Sequence, residues 1–455
     1  MTTVTKTIGT GYAATGTGTV STNNSITVTG TSTSFTTEFA SVGEVQMTIR
    51  IDSVTYSIES VDSDTAIELR PAAEQIGGSL PNTGAGEAFQ IGTRDYSTIV
   101  AWEADLSDDA VYADTNDAVG VMYADSTFTD ATVTIDGGLS IGGSGGADLN
   151  SVTLTVVAAD RHDGTAESGV LWKPTTGSGH EQGIIRVPID NLTVEWIDIS
   201  MASLDSANTN KVVALMGTND DFILRNMLIH DKYGNPGVTG PHLIHTNLAG
   251  ASGDTLTIQN NIIYDIVETS NDSTVALNLN KWAGTANVYN NTIYKLTCNG
   301  SSKTSTGIIF GNSSTCVANI KNNMISLLGG NGTKRAYWKN GASSTANTAN
   351  NLSDDTSHAT YDAEDMAQSL NDASALIGKT LAEISFVSTT VGSEDLHIDE
   401  DSVCVDAGVD LGTTSGVNID INQRDRDASG DVWDIGAHEF VPEATAGASF
   451  LLFLD

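Results

Sequence analysis

The sequence predicts an all-β protein: a right-handed parallel β-helix, or solenoid, with a small N-terminal β domain and a short capping helix. Three observations predict it. The 455 residues hold 45 Gly but only 7 Pro and 6% aromatics, and short Val/Ile/Thr runs punctuated by Gly and Asn outnumber helical patterns. Three lines, Leu256–Tyr264, Ala286–Tyr294 and Ala318–Ser326, share the order apolar, variable, Asn, Asn, variable, Ile. Weaker copies precede them at Val194–Ile199 and Leu224–Ile229, and a fading one follows at Thr348–Leu352. The first apolar positions, 194, 224, 258, 288 and 320, are spaced by 30, 34, 30 and 32 residues, a drifting period typical of stacked coils. Finally, a second short run separates successive lines, at 212–216, 242–245, 275–279, 307–310 and 335–338, so each coil reads strand, bend, strand, turn, strand.

The chain in order divides into an N-terminal β module (1–78), a linker and helical cap (79–117), the β-helix (118–352), its C-terminal end (353–440) and an apolar tail (441–455). Thr19–Val28 reads as a hairpin around Asn23-Asn24. Val45, Met47, Ile49 and Ile51 alternate with polar residues, as do Val54, Tyr56 and Ile58. The Gly/Pro-containing loop Gly77–Gly86 marks a linker. Asp95–Leu106 then reads as an amphipathic helix, with Ile99, Trp102 and Leu106 on one face and Asp95 or Ser97 as its cap. A solenoid needs its open end plugged, and this helix is placed to do it. Beyond 352 the period is lost, and Asp362–Asn371 reads as a helix. The tail residues Phe450–Leu454 are apolar and call for a covering surface, in this chain or another.

The Asn-Asn pair has a physical reason. A sharp bend between parallel strands requires a left-handed residue, which Asn tolerates well. The neighbouring Asn points inward and joins an amide ladder along the axis. The expected ladder is Asn226, Asn260, Asn290 and Asn322, with Trp196 in the slot of the first coil. Two apolar stacks flank it: Val194, Leu224, Ile258, Val288, Ile320 and Ile199, Ile229, Ile263, Ile293, Ile325.

The balance of 20 basic against 57 acidic residues, a net charge of −37, argues against a nucleic-acid footprint or adhesion to an anionic membrane. No run approaches the roughly 18 apolar residues of a membrane span. Three cysteines, Cys298, Cys316 and Cys404, make no disulfide framework, and no CxxC spacing occurs. The first residues, Met1–Lys6, carry no apolar signal region, so for an extracellular-looking fold another route out of the cell is expected, release from a lysed host being one. No cofactor motif is visible, and His242 and His245 read as strand-end histidines rather than metal ligands.

Two segments carry a resemblance. Thr27–Phe35, Val42-Gly43 and Tyr56–Leu69 resemble small β modules near the N-termini of phage tail and fibre proteins. Cys404–Gly408, Asn418–Arg426 and Trp433–Phe440 resemble a C-terminal signature of right-handed β-helix proteins of bacteria and phages, DAG…DIdGxxRp…DIGAxEF. Arg426 falls on the signature's Arg, while Gln423 replaces its usual Gly and Asp427 its usual Pro. The acids of this signature are expected to bond loop amides and Arg426. The resemblance implies a structural, surface-exposed phage virion protein: a tail fibre, tailspike or capsid-attached fibre that docks to other virion proteins and presents its β-helix to a host-surface polysaccharide. Assembly into a homo-oligomer, a trimer among the possibilities, is also implied. The alternatives are a tailspike-like depolymerase, hydrolase or lyase, and a bacterial surface adhesin.

Aligned repeats give one candidate site. The sixth position past each first apolar residue holds His230, Tyr264 and Tyr294, and the seventh holds Asp231, Asp265 and Lys295. Adjacent coils lie about 4.8 Å apart, so these six residues are expected to form one exposed patch. Aromatics beside carboxylates suit glycan binding by His230, Tyr264, Tyr294 and Lys295. Asp231 and Asp265 are the catalytic candidates if a glycosidic bond is cleaved, with Lys295 or Arg225 to neutralise charge.

Overall fold

Val, Ile and Thr favour pleated, half-buried strands, and left-handed residues turn each strand into the next. In the computed structural model these coils stack as a parallel β-solenoid of about six turns, with an antiparallel N-terminal sheet. Residues 2–39, 48–52, 54–72, 80–92, 94–107, 111–113, 115–136, 149–175, 183–204, 211–216, 221–233, 240–246, 252–269, 272–311, 315–341, 343–354, 374–427 and 432–442 are described. The expected helix at 362–371, the tail residues 443–455, and Val45 and Met47 lie outside them.

Three parallel sheets form the walls of the solenoid. The first runs Thr3–Ile8, Asp117–Met122, Ser151–Val156, Leu192–Glu195, Asp221–Arg225, Thr255–Gln259, Thr285–Tyr289, Val317–Lys321 and Thr345–Ala349. The second contains the intervening strands, including Val213–Leu215, His242–Thr246, Thr274–Leu279, Thr304–Phe310 and Thr333–Lys339. The third holds Asp198–Ser200, Leu228–Tyr233, Ile262–Glu268, Thr292–Cys298 and Met324–Ser326. Register is exact from coil to coil, with Leu224, Ile258, Val288 and Ile320 paired in series. Both expected apolar stacks are fully buried.

The N-terminal boundary differs from the expectation. Thr3–Ile8 is the first strand of the solenoid, paired in parallel with Asp117–Met122. The antiparallel module is inserted after it and extends past 78, because Ala85–Glu87 and Phe89–Gly92 complete its sheet. Its core is Val20, Val28, Phe35, Ile49, Ile51, Ile58, Ile67 and Phe89 with their neighbours. Thr19–Ser21 and Thr27–Thr31 pair antiparallel, and Asn24 in the connection has φ 53°.

Ile99–Ala104 is the plug helix, capped by Thr98, whose Oγ1 accepts from the Ala101 amide at 3.0 Å. Asp95 instead accepts from Thr7 N and Oγ1 at 2.7 and 2.8 Å. Ile99, Trp102 and Leu106 are wholly buried, and the Trp102 indole N–H donates to Tyr112 at 3.0 Å.

The ladder is displaced by one residue from the expected positions. Asn226, Asn260, Asn290 and Asn322 are the left-handed bends, with φ of 53°, 54°, 52° and 56°, and Trp196 shares the conformation at 65°. The ladder is formed by Asn261, Asn291, Asn323 and Asn351, each Nδ2 donating to the next Oδ1 at 2.8, 2.9 and 3.1 Å. The reason is strand parity. Val288 faces inward and Tyr289 outward, the bend at Asn290 shifts the phase, and Asn291 faces inward again. Asn291 is fully satisfied: Oδ1 accepts from the Asn261 amide and side chain, and Nδ2 also donates to Ile258 O.

The displaced Asn side chains have another use. The segment from 405 onward runs back along the solenoid as a strap and presents carbonyls to them. Asn350 donates to Ala407, Asn322 to Val409, Asn290 to Val417, Asn260 to Val417 and Ile419, and Asn226 to Asp420. The strap ends in a buried knot. Arg426, with no exposed surface, donates to Glu439 at 2.7 Å and to Gly436 O at 2.9 Å. Asp420 and Asp434 accept from the amides of Asn422, Arg424, Glu439, Asp406 and Phe440.

Candidate functional site

The two aligned rows begin as simple strand ends. His230, Tyr264 and Tyr294 sit in register on the third sheet. Asp231, Asp265 and Lys295 follow them in left-handed conformation, with φ of 62°, 56° and 58°. The structure brings the six together, yet it does not expose them as a patch. His230, Tyr264 and Tyr294 are 2%, 3% and 2% exposed. A hairpin of Phe386–Thr390 and Ser393–Ile398 lies across the row. Its Phe386 meets Tyr294 edge-on at 5.5 Å, and Leu396 packs with Leu228, Ile262 and Tyr264. The aromatics are therefore core for the hairpin, because the apolar ring surfaces that would bind sugar are already covered.

His230 is held from both sides. Its Nε2 lies 2.8 Å from Asp198 Oδ1 and its Nδ1 2.8 Å from Asp231 Oδ2, and its ring stacks on Tyr264 at 5.1 Å. Burial alone pushes the imidazole down. Hydrogen bonds and charge from Asp198 and Asp231 outweigh it and hold the pKa up at about 9. The imidazolium hydrogen bond in turn lowers Asp231 below the usual carboxylate range against its partial burial. Asp198 also accepts from the Glu167 amide at 2.7 Å.

Beside this triad, Lys295 contacts Asp265, and its Nζ is 3.9 Å from Glu394 on the hairpin. Tyr233 donates to Asp265 Oδ2 at 3.0 Å. The side chains of Asp265 and Glu394 are both buried. A cleft of about 410 Å³ remains between the turn at Thr165–Glu167, the strand end at His230-Asp231 and the hairpin turn at Gly392–Asp395.

This arrangement is better suited to binding than to acid/base work. A glycosidic general acid needs a carboxyl raised by its surroundings. The cleft carboxylate Asp231 is lowered instead, and Asp265 is closed off by Lys295 and Tyr233. Carboxyls raised by burial lie elsewhere: Glu103 at about 8 in the plug, Asp434 at about 6 and Glu439 at about 7 in the strap knot. Arg225, at the end of a first-sheet strand, is engaged elsewhere, bonded to Glu195 at 2.5 Å and to Ser415 O of the strap. His245 is pushed down to about 3 by burial and is neutral. Among the described residues no group of three or more His, Cys, Asp or Glu is placed to hold a metal ion.

Sequence reasoning missed Asp198 and Glu394. Asp198 left a signal, being an acid in a column otherwise filled by Leu228, Ile262, Thr292 and Met324. Glu394 left none, since it is brought in by a hairpin outside the repeat. Comparison with known proteins finds no matching family, no matching curated protein and no matching solved structure.

Proposed function

We propose that this chain is a structural, surface-exposed phage virion component, a tail-fibre, spike or capsid-attached fibre protein whose β-helix projects toward a host surface or glycan. The reading is supported by the two segments that resemble phage and β-helix proteins, and the solenoid fold is compatible with it. One observation carries the choice of scaffold over enzyme: Asp265 is buried against Lys295 and Asp231 is paired with His230, so the aligned carboxylates do not face each other across an open groove. The cleft at His230, Asp231 and Glu394 is the place for a small glycan contact, its size falling in the range of ligand pockets.

The placement is tested by proteomic quantification of purified particles, where a fixed copy number is expected and absence of the chain defeats the proposal. Glycan contact is tested by binding to neutral and acidic polysaccharides with Asp231→Asn as the comparison. Weakened binding by a variant that keeps a β-rich circular dichroism spectrum supports the cleft, and undiminished binding defeats it. The second reading, a polysaccharide depolymerase, rests on the same cleft. Release of reducing ends or unsaturated sugars by the wild type, abolished in Asp231→Asn, would replace the scaffold reading with it.

A further inference from the structure

Asp265 and Lys295 occupy equivalent left-handed positions on adjacent coils. Lys295 Nζ touches Asp265 Oδ1, yet among the described residues that buried oxygen has no hydrogen-bond partner of acceptable geometry. The ammonium and the carboxyl group are thus in direct contact. A third group completes the arrangement. The Glu394 side chain is buried, and its Oε1 lies 3.9 Å from the same Nζ. That oxygen also has no hydrogen-bond partner among the described residues, while Oε2 accepts from Gly392 N at 2.8 Å. Tyr233 donates to the other Asp265 oxygen at 3.0 Å, and buried Tyr264 and Tyr294 stand on the adjoining strand positions.

We propose that Lys295 and Asp265 form an intramolecular isopeptide cross-link, with Glu394 as the proton carrier. Glu394, 3.9 Å from Nζ, closes on the ammonium, takes a proton from it and passes that proton to Asp265, and the freed Nζ lone pair attacks Cγ of the resulting carboxylic acid. Tyr233 holds one carboxyl oxygen and polarises the carbonyl. The Nζ–Cγ bond forms, one Cγ–O bond breaks, and that oxygen departs as water carrying two protons that began on Nζ. Ammonium plus carboxylate therefore give amide plus water, with no oxidant, reductant or cofactor. Fixed contact supplies the high effective concentration that condensation needs, and burial of Asp265 limits the access of water to the new amide. The released water has an exit through the cleft that Glu394 lines. The product covalently joins two neighbouring coils under the hairpin.

Intact-mass measurement of the full chain tests this. The expected mass lies below the sequence mass by one water, about 18 Da. Tryptic digestion is expected to yield a branched peptide joining Lys295 to Asp265, with no cleavage after Lys295. Glu394→Gln keeps the shape of the acid and is expected to restore the full mass while retaining a β-rich circular dichroism spectrum. Lys295→Arg does the same. A wild-type chain of full mass, or a water loss mapped to other residues, overturns the cross-link. A cross-link persisting in Glu394→Gln overturns the role given to Glu394.

Discussion

The two asparagines of each line differ by one position and do opposite work. Asn291 satisfies buried donors and acceptors on two neighbouring coils, so Asn291→Ala strands several polar groups and is expected to cost about 2–4 kcal/mol. Asn290 holds a left-handed bend and donates one bond to the strap. Asn290→Gly accepts that bend without strain and is expected to cost under about 1 kcal/mol. Denaturant midpoints of the two variants separate ladder from bend, and equal losses contradict the assignment. Gln423 supplies a second residue-scale case. It has φ 63° where the resembling signature carries Gly. Gln423→Gly relieves a left-handed side chain and is expected to gain about 0.5–1 kcal/mol in the same measurement. His230 gives a pH dependence. Its folded pKa, about 9, lies above the ordinary 6.5, so its stabilisation is fully present below 6.5 and is lost as pH rises through 9. The gap corresponds to about 3 kcal/mol. Wild-type stability is therefore expected to fall across this window by that much more than stability of His230→Gln, and parallel pH curves for the two refute the Asp198–His230–Asp231 assignment.

At the scale of elements, the strap and the hairpin decide what the solenoid displays. The strap crosses the Asn bends in the direction opposite to coil growth, from Asn350 back to Asn226. Its anchor is the Arg426–Glu439 pair. Breaking a buried pair by removing one partner costs about 3–5 kcal/mol because the other charge is left behind. Arg426→Ala is thus expected to free the strap first. Amide exchange of Val409 and Ile421, which bond Asn322 and Ala437, should accelerate while Val288 and Ile320 in the sheets stay protected. Simultaneous acceleration everywhere would mean that strap and solenoid form one cooperative unit.

For the whole molecule, the N-terminal strand matters most. The chain starts a coil at Thr3–Ile8, leaves to build the antiparallel module, and returns at Asp117 into the same sheet. Tyr96 bonds both Thr7 and Gly9 through the main chain, closing the insertion where it meets the first coil. The module is consequently tied to the solenoid at both of its ends. The plug seals this end. A Cβ on Gly120 would lie 2.6 Å from the Trp102 ring, so Gly120→Val forces the helix off the first coils, and Trp102→Ala leaves a cavity costing about 3–5 kcal/mol. Both variants are expected to lower the thermal midpoint and to expose dye-binding apolar surface, and unchanged melting in both refutes the plug.

The coil period, the three-strand recipe and the two apolar stacks are legible in the chain order, and so is the Asn-Asn pair that contains each bend. Each of these depends on residues about 30 positions apart that repeat the same side-chain pattern, and repetition is visible in one dimension. It also brought His230, Asp231, Tyr264, Asp265, Tyr294 and Lys295 into one neighbourhood, because register follows from the repeat. Tertiary structure alone decided their environment. The hairpin of 386–398 and the strap from 405 carry no repeat, so nothing in the chain order marks where they lie down. They turn the expected exposed row into a buried one, give the bend asparagines their carbonyl partners, and place Glu394 against Lys295. Which Asn faced inward was a matter of strand phase at a left-handed residue, a choice between adjacent positions that only the backbone path resolves.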